Sequence, residues 1–222
     1  MKKITKAVIP AAGLGTRMLP IARTVPKEIL PIVDKPAISY LVDEAISSGV
    51  TDILIITNRG KYAIEDYFDY SPEYEETLRK KGKNDIIDSL RSAANRANIY
   101  FIRQKEARGL GDAVLRAKSF IGSEPFYVLY GDDIIMSKKP VCLQLAEAYD
   151  KYNLAVAGVK EVSAEQILKY SSLDAKPIPG ESNFYHVTDM IEKPKPEEVI
   201  TRLSILGRVL LTPDIFDILS ST

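Results

Sequence analysis

The run Asp52-Ile53-Leu54-Ile55-Ile56-Thr57 constrains this chain more than any other segment. Its apolar residues do not alternate with polar ones, so it reads as a strand buried on both faces. A sheet offers that burial when helices cover each side of it. Similar short runs recur at 6–11, 99–103, 126–130 and 154–162, and strands are also expected near 184–191 and 204–211. Helical patterns lie between them. Residues 36–49 place Ile38, Leu41, Val42, Ala45 and Ile46 on one face, with Gly49 as the stop. Polar helices are expected at 72–81 and 84–96, and further helices at 111–120 and 141–152. Ser163-Ala164-Glu165-Gln166 is a capping-box pattern that opens a helix running to about Tyr170. Thr212-Pro213-Asp214 pairs an N-cap with a proline at the first helical position and starts a last helix. This alternation predicts an α/β fold: a mostly parallel mixed sheet flanked by helices in three α/β/α layers. In such folds ligands sit beyond the carboxyl ends of the strands, so informative residues should follow strands.

Composition narrows the chemistry. The chain has 222 residues, 45% of them apolar, with 30 basic and 30 acidic side chains. That length suits a single domain over 1–222. A net charge of zero argues against a general nucleic-acid or membrane-surface binder. The lone Cys142 permits no internal disulfide and no CxxC metal site. The lone His186 excludes a multi-histidine zinc centre and disfavours a His-based triad. No run approaches the length of a membrane span, and the N-terminal apolar stretch is too short for a signal peptide, so a cytoplasmic protein is expected. Chemistry here must run on Asp, Glu, Lys, Arg and backbone N–H groups.

The loop after the first strand reads AAGLGTRMLPIARTVPKEILP over residues 11–31. Small residues at Ala11, Ala12, Gly13 and Gly15 let backbone N–H groups approach a phosphate. A dinucleotide fingerprint would need Gly or Ala where Met18 stands, and prolines at 20, 26 and 31 block a long helix. A Walker loop would need Gly-Lys-Ser/Thr, which is absent. Arg17 and Lys27 remain, two cations among backbone donors, which suit a triphosphate. The competing reading is a tight turn with two solvated cations. Elsewhere, Gln104 ends a strand before Gly109, and an amide can both donate to and accept from a pyrimidine edge. Asp132 and Asp133 follow the strand FYVLY, and one carboxylate with phosphate oxygens and waters is a common Mg²⁺ arrangement. Glu192 could accept from sugar hydroxyls, and Lys193 could neutralise a phosphate. Each of these, taken alone, also reads as an ordinary polar turn or surface pair.

The ordered set of motifs is more specific. Ala11-Ala12-Gly13 with the loop to Pro20, then Pro26-Lys27-Glu28-Ile29-Leu30-Pro31 and Val33-Asp34-Lys35-Pro36, resemble the signature loop of the sugar-phosphate nucleotidyltransferases. Residues 63–69, Arg103-Gln104 with Gly109-Leu110-Gly111, Gly131-Asp132-Asp133, Glu192-Lys193-Pro194 and Gly207-Arg208 through Pro213 follow in the family's order. The resemblance spans essentially the whole chain. It implies a Rossmann-like nucleotidyltransferase fold and transfer of a uridylyl group from UTP to glucose 1-phosphate, with Mg²⁺ as cofactor. It implies that Gln104 and Gly109 contact uracil, that Ala11 and Ala12 lie near base and ribose, and that Asp132 binds Mg²⁺ with Asp133 by the ribose. Glu192 falls to the sugar and Lys193 to the sugar phosphate. Arg17 and Lys27 are then expected on the β and γ phosphates, and Gly13, Gly15, Glu28 and Gly207 among the substrate-binding residues.

One departure touches specificity. After Lys169-Tyr170 the family continues with Gly-Val, its glycine beside the hexose, whereas here Ser171 and Ser172 follow. A side chain there could crowd or rebond the sugar. The alternatives are therefore another sugar 1-phosphate, dTTP in place of UTP, or a weakly catalytic nucleotide-sugar binding or regulatory homologue. Family members continue past the helix that begins at Thr212, so a C-terminally shortened chain is expected, with the family's homo-oligomer weakened.

Overall fold

A computed structural model describes residues 3–221. The chain runs β1 (Lys6–Pro10), β2 (Pro31–Ile32), β3 (Lys35–Pro36), α1 (Ala37–Ser47), β4 (Asp52–Thr57), α2 (Tyr62–Phe68), α3 (Pro72–Lys80) and α4 (Asn84–Arg96). It continues with β5 (Asn98–Arg103), α5 (Gly109–Leu115), α6 (Lys118–Ile121), β6 (Phe126–Leu129), α7 (Val141–Tyr152), β7 (Val156–Glu161) and α8 (Ala164–Ile167). Then come β8 (Ser171–Pro177), β9 (Tyr185–Glu192), β10 (Leu203–Leu211) and α9 (Ile215–Ser221).

Six strands form one sheet in the order β5-β4-β1-β6-β10-β7. The first four are parallel, and β10 runs antiparallel to both β6 and β7. The expected mostly parallel mixed sheet is therefore present. Alternation along its central strands divides the core. Ala7, Ile9, Ile53, Ile55, Tyr127 and Leu129 face α1 and α7. Val8, Leu54, Ile56, Phe126 and Val128 face α5, α6 and α9. Phe126 and Phe216 stack with centroids 5.5 Å apart, which seats α9 on the sheet. Cys142 is buried in the first cluster, where burial pushes its thiol pKa well up.

Several elements differ from the sequence reading. The helix expected over 111–120 starts earlier, at Gly109, and breaks into α5 and α6. Helix α2 precedes α3, where no separate helix was expected. Strand β8 was not foreseen. It pairs with β9 in a hairpin of its own, and β9 is exposed along almost its whole length. Its residues Ser171-Ser172-Leu173-Asp174 lack the apolar run that marked the central strands.

The chain steps from β1 outward to β4 and β5, then crosses back to β6 on the other side of β1. The β1/β6 border is thus the topological switch point, where such sheets open a crevice beyond their carboxyl ends. Gly131, just past β6, is required there: a Cβ on it would lie 2.8 Å from the Pro10 carbonyl oxygen. Any side chain would force β1 and β6 apart where their loops must meet.

Candidate active site

The loops leaving β1 and β6 converge. Lys27 lies on a single 3-10 turn, Lys27–Ile29, and its Nζ is 2.5 Å from Asp132 Oδ2. A Cβ on Gly13 would sit 4.0 Å from that Nζ, so the ammonium lies over the glycine loop. Arg17 stands on a preceding turn, Thr16–Met18, exposed and without an ion pair among the described residues. Lys27 and Asp132 therefore meet at a backbone loop bearing Gly13 and Gly15, and Arg17 belongs to that loop's next turn.

The β4–α2 connection holds that loop from behind. Lys61 Nζ donates to the Ala11 carbonyl at 2.5 Å and to both oxygens of Glu28 at 2.8 Å. Asn58 Nδ2 donates to the Ala12 carbonyl. Lys61 and Glu28 are both buried. Burial pushes the Lys61 ammonium pKa down, while Glu28 pulls it back up. Glu28, expected among the substrate contacts, is turned inward with both oxygens on Lys61. A buried carboxylate needs a partner, and Lys61 is the cation in reach. Neither Lys61 nor Asn58 was singled out from sequence. Their position just after the carboxyl end of β4 was the available signal.

Gln104 follows β5 and is 5% exposed. Its Nε2 donates to Asp112 Oδ2 at 2.7 Å and to the Gly109 carbonyl at 3.1 Å. Gly109 has φ +89°, and a Cβ on it would meet nothing within 4 Å, so open space lies beside it.

On the far side of β6, Asp133 packs against Gly207. A Cβ on Gly207 would overlap Asp133 Oδ2, and its φ is +69°. Glycine is needed there on both counts. The neighbouring Arg208 is buried and donates through Nε and an Nη to Glu44 Oε2, at 3.0 and 2.9 Å. That pair fixes the strand carrying Gly207. Tyr130 is close by. Burial raises its phenol pKa, and the Asp133 and Glu192 carboxylates add to the shift. A narrow cleft of about 100 Å³ opens between Asp133, Lys160, Tyr170 and Leu206.

Lys193 and Glu192 lie at the end of the β8–β9 hairpin, mostly exposed and 3.8 Å apart. Lys193 has φ +48°, uncommon for a residue with a side chain, and its N–H donates to the Tyr170 carbonyl at 2.7 Å. Ser171 and Ser172 are buried. The Ser171 hydroxyl is 3.3 Å from that of Ser204. Ser172 Oγ donates to the Thr201 carbonyl and accepts from the N–H groups of Ile200 and Thr201. A larger cleft, about 310 Å³, lies at the outer edge of β5 and holds none of the expected site residues.

No group of three or more His, Cys, Asp or Glu residues among those described could hold a metal by itself. Asp132 is a single carboxylate, 60% exposed, facing a cationic group. It fits a divalent cation that takes its remaining ligands from phosphate and water. No helix among the described residues is long and apolar enough to cross a membrane.

The site thus presents a glycine-rich loop at the switch point of an α/β sheet, with Lys27 over it and Asp132 facing that cation. The profile of the family Nucleotidyl transferase matches residues 6–222, and the chain belongs to that family. A UTP–glucose-1-phosphate uridylyltransferase of Bacillus subtilis (strain 168) is 51% identical over 220 residues, covering 99% of this chain and 73% of that protein. One from Staphylococcus saprophyticus is 48% identical over 221 residues, covering all of this chain and 76% of the other. UTP-bound UGPase from Acinetobacter baumannii superposes with a TM-score of 0.92 at 34% identity, over 99% of this chain and 78% of that one. UDP-glucose pyrophosphorylase complexed with UDP-glucose gives 0.87 at 41% identity, over 99% and 80%.

Proposed function

We propose that this chain transfers a uridylyl group from UTP to the phosphate of glucose 1-phosphate, releasing pyrophosphate. The observation that carries this reading is the convergence of Lys27 and Asp132 over Gly13, in a chain about half identical to uridylyltransferases. A sugar-phosphate oxygen forms the new bond to the α-phosphorus, and the bond from that phosphorus to the β-phosphate bridging oxygen breaks. The second pKa of a phosphomonoester is about 6, so the nucleophile is already mostly dianionic at neutral pH. No general base is needed, in keeping with a chain that has one histidine.

The chain's task is to bring anions together. Arg17 and Lys27 neutralise the β and γ phosphates, and Lys193 holds the sugar phosphate. The backbone at Ala11, Ala12, Gly13 and Gly15 lines the nucleotide, with Gln104 and Gly109 at the base. Asp133 and Gly207 flank the ribose, and Glu192 reaches the sugar. Asp132 would hold Mg²⁺, which would supply positive charge to the reacting phosphates. Lys27 now pairs with Asp132, so this reading has it turn to phosphate when nucleotide and metal enter.

The Ser171 and Ser172 hydroxyls are committed to β10 and to the segment leading into it, respectively. That supports an unaltered glucose over a sugar rebonded by new polar groups. A cytoplasmic setting, where nucleoside triphosphates are made and used, belongs to the same proposal. The test is pyrophosphate release with Mg²⁺, crossing UTP and dTTP with several sugar 1-phosphates. Release with UTP and glucose 1-phosphate is expected to dominate. UDP-glucose binding without release from any pair would make the chain a binding or regulatory homologue instead.

A further inference from the structure

We propose that Asp112 sets which end of the Gln104 amide faces the base, and so selects a base bearing an N–H donor over one bearing a bare ring nitrogen. The inference rests on the uridylyl reading and extends it to a residue with no role there. An amide side chain is symmetrical enough to present either its oxygen or its NH₂ group to a ligand. At Gln104 the surroundings remove that choice. The backbone is pinned, its N–H donating to the Thr57 carbonyl at 2.8 Å. Nε2 donates to Asp112 Oδ2 at 2.7 Å and to the Gly109 carbonyl at 3.1 Å. Both partners are pure acceptors. Turning the amide over would set its oxygen against a carboxylate and a carbonyl, which is repulsive.

Asp112 is itself held in its acceptor form. Arg116, one helical turn along α5, donates to Asp112 Oδ1 at 2.8 Å. The Gln104 amide and then Arg116 hold the Asp112 carboxyl below its ordinary range. Both Gln104 hydrogens are thus committed, and among the described residues none donates to its Oε1. What Gln104 offers a ligand is an acceptor. Uracil and thymine carry an N–H at the ring position where cytosine carries a lone pair. A fixed acceptor favours the first two and repels the third.

The test uses the full 222-residue chain, with UTP and CTP binding measured by calorimetry without sugar phosphate. Asp112→Asn can offer its own NH₂ group to Gln104 and lets the amide turn. The UTP-over-CTP affinity ratio is expected to fall about tenfold, the scale of one base-edge contact. The change should come from tighter CTP as well as weaker UTP. Asp112→Ala leaves only the Gly109 carbonyl to hold the amide's NH₂ end and should lower the ratio by less, which keeps the test open if the first variant does not fold. Equal weakening of both nucleotides, with the ratio unchanged, would make Asp112 merely structural and overturn the proposal. A wild-type chain that binds neither nucleotide would remove the functional reading and this inference with it.

Discussion

The side proposed for the nucleotide and the side proposed for the sugar are built differently. On the nucleotide side the organising ion pair is Lys61–Glu28, whose side chains are 8% and 1% exposed. On the sugar side the corresponding charges are Lys193 and Glu192, 55% and 63% exposed. The first pair shapes a backbone loop from within the protein, and the second stands in solvent at the end of an exposed hairpin. The nucleotide loop is therefore preorganised by interactions that also hold the fold together. The sugar groups are placed by backbone alone, through the Lys193 N–H bond to Tyr170 and the left-handed turn at Lys193. Changes at the buried pair should register in stability, and changes at the exposed charges of either side in turnover.

Lys61→Met is the strongest way to break that contrast. It leaves Glu28 buried and unpaired, with an expected loss of about 3–5 kcal/mol in urea unfolding. Adding Glu28→Leu should recover most of it, because a buried pair is often replaceable by apolar groups. Arg17→Ala and Lys193→Ala should each cost about 3–4 kcal/mol at the transition state, or 10²–10³ in kcat, with the melting temperature nearly unchanged. A large loss of stability in either would erase the distinction drawn here.

Ser172→Ala sharpens the comparison on the sugar side. It strips two backbone N–H groups and one carbonyl of their partner, at an expected cost of about 1–3 kcal/mol, while the preference among sugar 1-phosphates should persist. Asp132→Asn should alter stability by less than about 1 kcal/mol, because its pair with Lys27 is solvent-screened. Its effect should appear as a higher Mg²⁺ concentration for half-maximal activity.

The smallest effect concerns Asp112, whose carboxyl is held low by Gln104 and Arg116. A depressed carboxyl adds stability above its unfolded pKa, and that stability is lost as pH falls through the folded value. Asp112→Asn should flatten the acid limb of the melting temperature against pH.

The core of the fold was legible from local pattern. The uninterrupted run at β4 and the short runs at β1 and β6 encode burial on two faces, and the structure places them side by side at the centre of the sheet. Strand β8 was not legible, since its serines are buried by hydrogen bonding to Ser204 and Thr201 rather than by apolar character. That Asp132 follows a strand and stands at the switch point could be read from position and chemistry, whereas its pairing with Lys27 could not. That Glu28 pairs inward with Lys61 was not legible, because its motif places it in the loop without revealing which way it turns. Lys61, Asn58 and Asp112 escaped notice because none stands in a pattern that a single segment can display.

The sequence by itself determined which segments are buried, and with that the α/β sheet and the family of motifs at its strand ends. Periodicity and loop chemistry are local, so they survive in the bare chain. Only the tertiary structure decided the partners: Lys61 with Glu28, Lys27 with Asp132, and Gln104 with Asp112 in one orientation. Those choices arise where loops far apart in the chain are gathered at one edge of a sheet. There, burial leaves each polar group few partners, and the partners in reach fix its direction and its role.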